Sequence, residues 1–224
     1  GAGTTPDLLR LVADAHSHGL DVTAEVYPWT AGMTDISAAM FGEGWQKEFG
    51  LDYGDLQWGA TGERLTRETF EAYRKTGGLV IVHSNPESVV TDAVKHPTTM
   101  IASDGLAGHP RNAGTYSRIL GHYVREQKVI DLMTALRKMS LMPAQRLEGR
   151  VSEMKRKGRI QPGCDADLTL FDPESVSERA TFTEPARFSE GIPYVLVGGT
   201  LVVNRGEIVA DALPGRPIRA ATKP

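Results

Sequence analysis

The chain has 224 residues, of which 40% are hydrophobic and 24% are charged, a composition typical of a globular protein with one large core or two smaller ones. Its formal net charge of −3 arises from interspersed signs without a basic run, which argues against nucleic acid as a partner. No apolar stretch approaches the ~20 residues that span a bilayer, and the first five residues lack signal-peptide features, so we expect a cytoplasmic protein without a membrane partner. Cys164 is the only cysteine, which excludes an intrachain disulfide.

Helix and strand patterns alternate three times in the first half of the chain. Apolar residues recur at helical spacing after Thr5, and Thr66 stands where a helix cap is expected. The predicted helices cover residues 5–18, 67–75 and 86–95, and the predicted strands cover residues 21–27, 79–83 and 99–102. A continuous apolar run such as 79–83 is typical of a strand buried in a parallel sheet. The alternation therefore predicts an α/β fold whose parallel sheet is covered by helices and is either open or closed into a barrel.

The character of the sequence changes near residue 157. Before it, three more helical patterns cover residues 116–126, 129–139 and 142–147. After it, short β-like runs are separated by Gly, Pro and Asp turns, and they cover residues 166–171, 194–197 and 200–203. We therefore predict two domains, one over residues 1–157 and a small β-domain over residues 158–224.

Polar side chains stand at the ends of the three predicted strands, at Tyr27, His83 and Asp104. Ligand sites gather at the carboxyl edge of parallel strands, so these residues are candidates for a functional site. Tyr27 could orient a substrate or fill the space as an aromatic plug. His83 could bind a metal or move protons, although a His at a strand end is more often a hydrogen-bonded structural residue. A long segment over residues 31–62 is predicted to be a lid on the substrate side.

The loop after the third predicted strand carries the sharpest candidates. Gly105 allows a tight turn that could project the Asp104 carboxylate into a crevice, although an Asp at this position could equally cap the next turn. His109 and Arg111 follow on the same loop. The planar guanidinium of an arginine is suited to binding a carboxylate at two points, and a plain surface position for Arg111 stays open.

The segment Met100–Gly105, together with His109-Pro110-Arg111, resembles the amidohydrolase superfamily and, within it, the N-acyl-D-amino-acid deacylase (D-aminoacylase) group. Other segments resemble the same group in the same order along nearly the whole chain. They are residues 21–32, 135–139, 143–147, 157–160 and 162–168. Six segments in the correct order are more specific than any one motif.

The resemblance implies a fold and a partner. The fold would be the C-terminal part of a (β/α)₈ TIM barrel, about strands 6–8, plus a small β-sandwich domain that both ends of the complete chain build. The chain would then begin inside a larger gene product, which fits the absence of an initiating Met. We expect the N-terminal half of the same enzyme as a companion chain, with homo-oligomerisation as a further possibility.

The resemblance also implies a reaction. The group uses Zn²⁺, here one or two ions whose ligands mostly belong to the missing N-terminal part, to hydrolyse the amide bond of N-acyl-D-amino acids. Asp104 matches the group's catalytic aspartate, which can also contact the metal, and Arg111 matches the arginine that holds the substrate's α-carboxylate. His109, Tyr27 and His83 are predicted as further substrate-binding residues. We expect the 224-residue chain to be inactive without the rest of the enzyme.

Two alternatives stay open at this point. One is a cyclic amidase of the dihydroorotase or hydantoinase kind, because a carboxylate-binding arginine does not separate it from a deacylase. The other is a metal-free homologue that serves as a scaffold, because Tyr27 stands where the resemblance leads us to expect a metal-binding His.

Overall fold

The computed structural model describes residues 2–220, and the contacts divide the chain into two units. The first unit comprises the residues up to Thr99 together with two later segments, Ser103–Thr115 and Ala180–Arg187. The second unit comprises Met100–Ala102, Tyr116–Arg179 and the residues from Phe188 onward. Among residues 2–220, no helix is long and apolar enough to cross a membrane. The predicted domain boundary near residue 157 stays a prediction.

The three helix and strand pairs predicted for the first half are confirmed as elements. The three helices are α1 (Thr5–Ser17), α3 (Arg67–Thr76) and α4 (Glu87–Lys95). The three strands that follow them are β1 (Ala24–Val26), β4 (Leu79–Val82) and β5 (Thr99–Ile101). Thr66 caps α3 as expected, because its Oγ1 accepts a hydrogen bond from Thr69 N–H at 3.3 Å. The N–H of Ala24, at the start of β1, donates to the O of Thr98 at 3.2 Å.

The prediction of a parallel strand at residues 79–83 is wrong. β4 is the central strand of a three-stranded antiparallel sheet, between β2 (Gly32–Asp35) and β3 (Leu56–Trp58). An apolar run indicates burial on both faces but not the direction of the neighbouring strands. Val80, Ile81 and Val82 are all buried, so the sequence predicted the burial of this strand correctly and its partners incorrectly.

An aromatic cluster forms the core beside this sheet. Trp45, the first residue of α2 (Trp45–Phe49), stacks on Phe70 of α3 with the ring centres 5.5 Å apart, and Phe41 packs edge-on against both rings. The cluster is completed by Ile36, Leu56, Leu65, Val80 and Val82. Much of the segment predicted as a lid is therefore part of a packed core.

The second half of the chain begins with helices that include π-helical turns. α5 (Arg111–Arg118) continues as a π-helix over Ile119–Glu126. α6 (Leu132–Leu136) continues as a π-helix over Arg137–Leu141 and then as α7 (Met142–Leu147). The predicted helices are confirmed, and the i→i+5 turns within them were not predicted because they have no simple sequence pattern.

The predicted β-rich region is confirmed as a four-stranded antiparallel sheet. Its strands, in spatial order, are β6 (Leu168–Leu170), β7 (Tyr194–Val197), β8 (Thr200–Asn204) and β9 (Glu207–Ile208). Every residue of these four strands is at least partly exposed. The predicted β-sandwich, which needs a second facing sheet, stays a prediction for the complete protein.

The turn between α3 and β4 gives a test of this fold. Gly78 has φ +133°, and a Cβ added there would lie 2.6 Å from the Trp58 ring, which stacks on Tyr73. We therefore expect Gly78→Ala to lower the free energy of unfolding by about 2–4 kcal/mol, through backbone strain and overpacking together. Urea denaturation of the complete protein measures this change. Gly54→Ala is the matched control, because a Cβ at Gly54 meets no atom within 4 Å. An equal loss of unfolding free energy in both variants would contradict the close packing of Gly78 against Trp58.

Candidate active site

The first unit brings four of the predicted site residues together. β1 leads into Tyr27, and the loop after β5 carries Asp104 and His109 before α5 begins at Arg111. Arg111 Nη2 lies 2.9 Å from Asp104 Oδ2. The guanidinium carbon of Arg111 lies 4.8 Å from the centre of the Tyr27 ring. The rings of Tyr27 and His109 meet edge-on at 6.4 Å. The fifth predicted residue, His83, is connected to this group through the ring of Phe182, which was not predicted to be at the site.

Arg111 carries a positive charge in a buried position, with only 4% of its side chain exposed. Its Nη2 pairs with Asp104 Oδ2 at 2.9 Å, and the face of the Tyr27 ring adds a cation–π contact. Its Nε is buried and donates to no described residue. A buried N–H without an acceptor costs roughly 1–3 kcal/mol, and the described residues leave the hydrogen-bonding capacity of this atom unused.

Asp104 has the opposite character, because 64% of its side chain is exposed. Its backbone has φ +45°, an uncommon conformation for a residue other than glycine and one that asparagine and aspartate tolerate better than most. Gly105 follows, and a Cβ there would lie 2.8 Å from Asn112 Oδ1. A side chain at 105 would therefore displace the Asn112 amide, and the turn holds the Asp104 carboxylate beside the buried guanidinium.

His109 is fully buried and has both ring nitrogens in hydrogen bonds. Its Nδ1 accepts from the N–H of Arg111 at 3.0 Å, so Nε2 must carry the proton that it donates to the O of Ala31 at 3.1 Å. Burial, with a smaller contribution from the charge of Arg111, lowers the pKa of His109 to about 4. His109 is therefore neutral at neutral pH and links the start of α5 to the segment after β1.

His83 is also neutral but keeps one nitrogen without a described partner. Gln57 donates through Nε2 to the O of Phe182 at 2.9 Å, so its Oε1 accepts from His83 Nε2–H, also at 2.9 Å. This fixes the tautomer of His83 and leaves Nδ1 as an acceptor with no hydrogen bond to the described residues. Burial, with a smaller effect from Arg64, lowers the pKa of His83 to about 4, against a small opposing effect of Asp55.

Phe182, like Gln57, was not identified as a site residue from the sequence. It belongs to the segment Ala180–Arg187, which is part of the first unit although Phe182 lies 71 positions beyond Arg111 in sequence (182 − 111). Its ring packs against His83, His109 and Trp29, with ring centres 4.8, 5.2 and 5.8 Å apart. A lone Phe in a turn-rich stretch carries no periodic signal, so nothing local in the sequence identifies this position.

The described residues do not form a metal site by themselves. No group of three or more His, Cys, Asp or Glu side chains within residues 2–220 is arranged to hold a metal ion. His109 has no free nitrogen for a metal, since both take part in hydrogen bonds with this chain. A metal ion near Asp104 would need most of its ligands from residues outside the described chain.

Comparisons with known proteins agree on one family. A family model described as the amidohydrolase family matches residues 3–203. The chain is 29% identical to an N-acyl-D-glutamate deacylase and 33% identical to a D-aminoacylase, both from Alcaligenes xylosoxydans xylosoxydans, over 97% and 89% of its length. It spans 45% and 42% of those proteins. A dihydroorotase from Syntrophus aciditrophicus is less similar, at 25% identity over 93% of the chain and 42% of that protein.

Solved structures give the same result. The crystal structure of N-acyl-D-glutamate deacylase from Bordetella bronchiseptica, in complex with zinc and a phosphonate inhibitor, has a TM-score of 0.81 and 30% identity over 97% of this chain and 47% of that one. A D-aminoacylase structure described by its binuclear metal centre has a TM-score of 0.76 and 28% identity over 93% of this chain and 45% of that one. The mixed α/β fold of the chain therefore matches that of the D-aminoacylase amidohydrolases.

The two neutral histidines predict how stability depends on pH. An unfolded histidine binds a proton below about pH 6.5, whereas folded His109 does so only near pH 4, so the unfolding free energy falls as the pH drops from 6.5 to 4. For the fully buried His109 we expect a loss on the order of 3 kcal/mol across that window. Urea denaturation at a series of pH values measures this loss.

His109→Gln tests the assignment to this residue, because an amide can keep a donor and an acceptor in place but does not titrate. The variant should reduce the pH dependence of unfolding and leave the contribution of His83. His16→Gln, which replaces an exposed ring outside the site, is the control substitution. Full pH dependence in His109→Gln would show that another group is responsible.

Proposed function

Because the chain belongs to the amidohydrolase family, we propose that the complete protein hydrolyses the amide bond of N-acyl-D-amino acids. Relatives named for that activity align along nearly the whole chain. Since the chain spans about 45% of the length of its relatives, the proposal concerns the complete protein. An N-terminal part, in the same polypeptide or as a companion chain, would supply the remaining residues of the active site.

The observation that carries the proposal is the buried Arg111 with an unused N–H. A guanidinium binds a carboxylate best through two parallel hydrogen bonds, and every N-acyl amino acid presents an α-carboxylate. The unpartnered Nε of Arg111 provides one such donor, and the Tyr27 ring holds the guanidinium plane in place. In the proposal, Arg111 binds this carboxylate and thereby orients the scissile amide toward Asp104.

Asp104 acts as the general base and then the general acid in this proposal. Its Oδ2 pairs with Arg111, and its exposed side chain leaves Oδ1 open to water. The carboxylate takes a proton from the water that attacks the amide carbonyl. As the C–N bond breaks, the carboxylic acid returns that proton to the leaving nitrogen, which releases the D-amino acid and a carboxylate.

Zinc enters the proposal only as a property of the complete protein. The relative from B. bronchiseptica was solved with zinc, and a D-aminoacylase structure is described by a binuclear metal centre, so one or two Zn²⁺ ions are proposed here. Asp104 is the one residue of this chain to which we assign a metal contact. The other ligands would belong to the part that the chain does not contain.

The two histidines have different roles in the proposal. His109 has no free nitrogen, so it acts by fixing the backbone at Arg111 rather than by touching the substrate. His83 keeps Nδ1 as an acceptor and can bind an N–H of the substrate. Tyr27 contributes its ring face to Arg111, and its OH accepts a hydrogen bond from Asn85 Nδ2 at 3.5 Å.

The finer fold assignment belongs to the same proposal. We assign β1 and β5 to the TIM barrel, because the loops at their carboxyl ends carry Tyr27 and Asp104. The antiparallel sheet of β2, β4 and β3 is then an addition to the barrel rather than part of its wall. A single free cysteine, Cys164, suits the reducing cytoplasm, which we propose as the location.

The alternatives are less favoured on specific grounds. The dihydroorotase is 25% identical to the chain, whereas the deacylases are 29–33% identical, so a cyclic amide is the weaker proposal. A metal-free scaffold has no physical use for a buried guanidinium whose Nε lacks an acceptor, since that arrangement costs stability.

Arg111→Lys tests carboxylate recognition in the complete, zinc-loaded protein. Lysine keeps the positive charge but cannot form the two-point contact, so KM for an N-acyl-D-amino acid should rise by about 10–100-fold, with a smaller change in kcat. Steady-state kinetics measure both constants. An N-acyl amine that lacks the carboxylate is the control substrate, and its turnover should be equally poor in the wild type and the variant.

Asp104→Asn tests the proton transfer. The amide is nearly isosteric but cannot accept a proton from water, so kcat should fall by roughly 10²–10⁴-fold. The zinc content, measured by mass spectrometry of the metal, separates loss of a base from loss of a metal ligand. An active Asp104→Asn variant would rule out Asp104 as the base.

A further inference from the structure

We propose that Phe182 is a positioning residue that fixes the carboxylate-binding Arg111 through His109, and that Gln57 anchors Phe182. The inference rests on the proposed function in one respect, the role of Arg111 as the carboxylate-binding residue. Neither Phe182 nor Gln57 was expected at the site from the sequence. Their assignment depends on contacts among residues that are far apart along the chain.

The first step is the placement of the Phe182 ring. It packs edge-on against His109 with the ring centres 5.2 Å apart and the planes at 87°. Trp29 contacts the same imidazole at 6.2 Å, also edge-on. The imidazole is thereby enclosed by aromatic rings, which contributes to its complete burial. Without the Phe182 ring, a cavity or water would adjoin the imidazole.

His109 is in turn hydrogen-bonded to the backbone of Arg111. The imidazole Nδ1 accepts the N–H of Arg111, the first residue of α5, and Nε2–H donates to the O of Ala31. Rotation of the ring would break both hydrogen bonds at once. Tyr27 and Asp104 hold the guanidinium end of the Arg111 side chain. A shift of the Arg111 backbone would therefore misplace Nε, which has no partner among the described residues. A misplacement of about 1 Å can reduce an enzyme's efficiency by ~10²-fold.

Hydrogen bonds on both sides hold the backbone at Phe182. The buried Gln57, on β3, donates through Nε2 to the O of Phe182 at 2.9 Å. Next to it, Thr181 forms a turn with Glu184, in which the N–H of Thr181 donates to Glu184 O and Thr181 Oγ1 accepts from Glu184 N–H. The Phe182 backbone is therefore fixed on both sides, which suits a positioning role better than a mobile cover.

The test compares Phe182→Ala and Phe182→Leu in the complete, zinc-loaded protein, with Phe188→Ala as the matched control because 72% of Phe188 is exposed. We expect Phe182→Ala to raise KM for an N-acyl-D-amino acid by about tenfold with kcat changed less than about threefold. Phe182→Leu fills most of the space and should restore KM to within about threefold of the wild type.

A second readout does not depend on activity. Diethyl pyrocarbonate modifies accessible neutral imidazoles, and peptide mapping by mass spectrometry reports the modification of each histidine. His109 should be protected in the wild type and in Phe188→Ala, and it should react at least about tenfold faster in Phe182→Ala, because burial is what protects it.

Each combination of results decides the matter. Faster labelling of His109 together with a higher KM supports the positioning role. Unchanged labelling, or faster labelling with an unchanged KM, overturns it. If the wild type shows no deacylase activity, the proposed function fails, and the positioning of His109 by Phe182 is still decided by the labelling of Phe182→Ala against Phe188→Ala.

Discussion

The burial of one guanidinium charge is the constraint on which the candidate site depends. A cation can leave water only if charges, dipoles or π faces replace its hydration. At Arg111 the replacement comes from the carboxylate of Asp104 and the ring face of Tyr27. His109 could not share this space as a cation, because a second positive charge would repel the first. Burial is the main cause of the lowered pKa of His109, and the charge of Arg111 lowers that pKa in the same direction.

The neutral state of His109 in turn fixes the backbone that carries the arginine. A protonated imidazole has two donors and no acceptor, so it could not accept the N–H of Arg111. One titration state thus serves two purposes, since it avoids charge repulsion and it keeps the hydrogen bond that begins α5. The parts come from residues 27–31, 104–111 and 182, so the site forms only when these distant segments fold together.

The sequence predicted what depends on local pattern. Helices α1, α3 and α4 follow from apolar spacing and from the Thr66 cap, and the loop with Asp104 and Arg111 was identified from adjacent residues. It did not predict the antiparallel neighbours of β4, because an apolar run reports burial and not strand direction. The sequence also could not predict that His109 uses both ring nitrogens in hydrogen bonds and His83 only one. Their difference lies in which nitrogens are used by Gln57, Ala31 and the Arg111 N–H, and those partners are brought close only by tertiary folding.

The same arrangement limits how the site can respond to acid. Both histidines that contact Phe182 stay neutral until the pH approaches 4, so through the physiological range neither adds a positive charge near Arg111. When either imidazole gains a proton, it loses an acceptor and adds a charge in a buried position, and His109 then releases the start of α5. The proposed carboxylate recognition and the local stability would therefore fail for the same physical reason. A variant that stabilises the fold without restoring the acceptor at position 109 would not restore the proposed recognition.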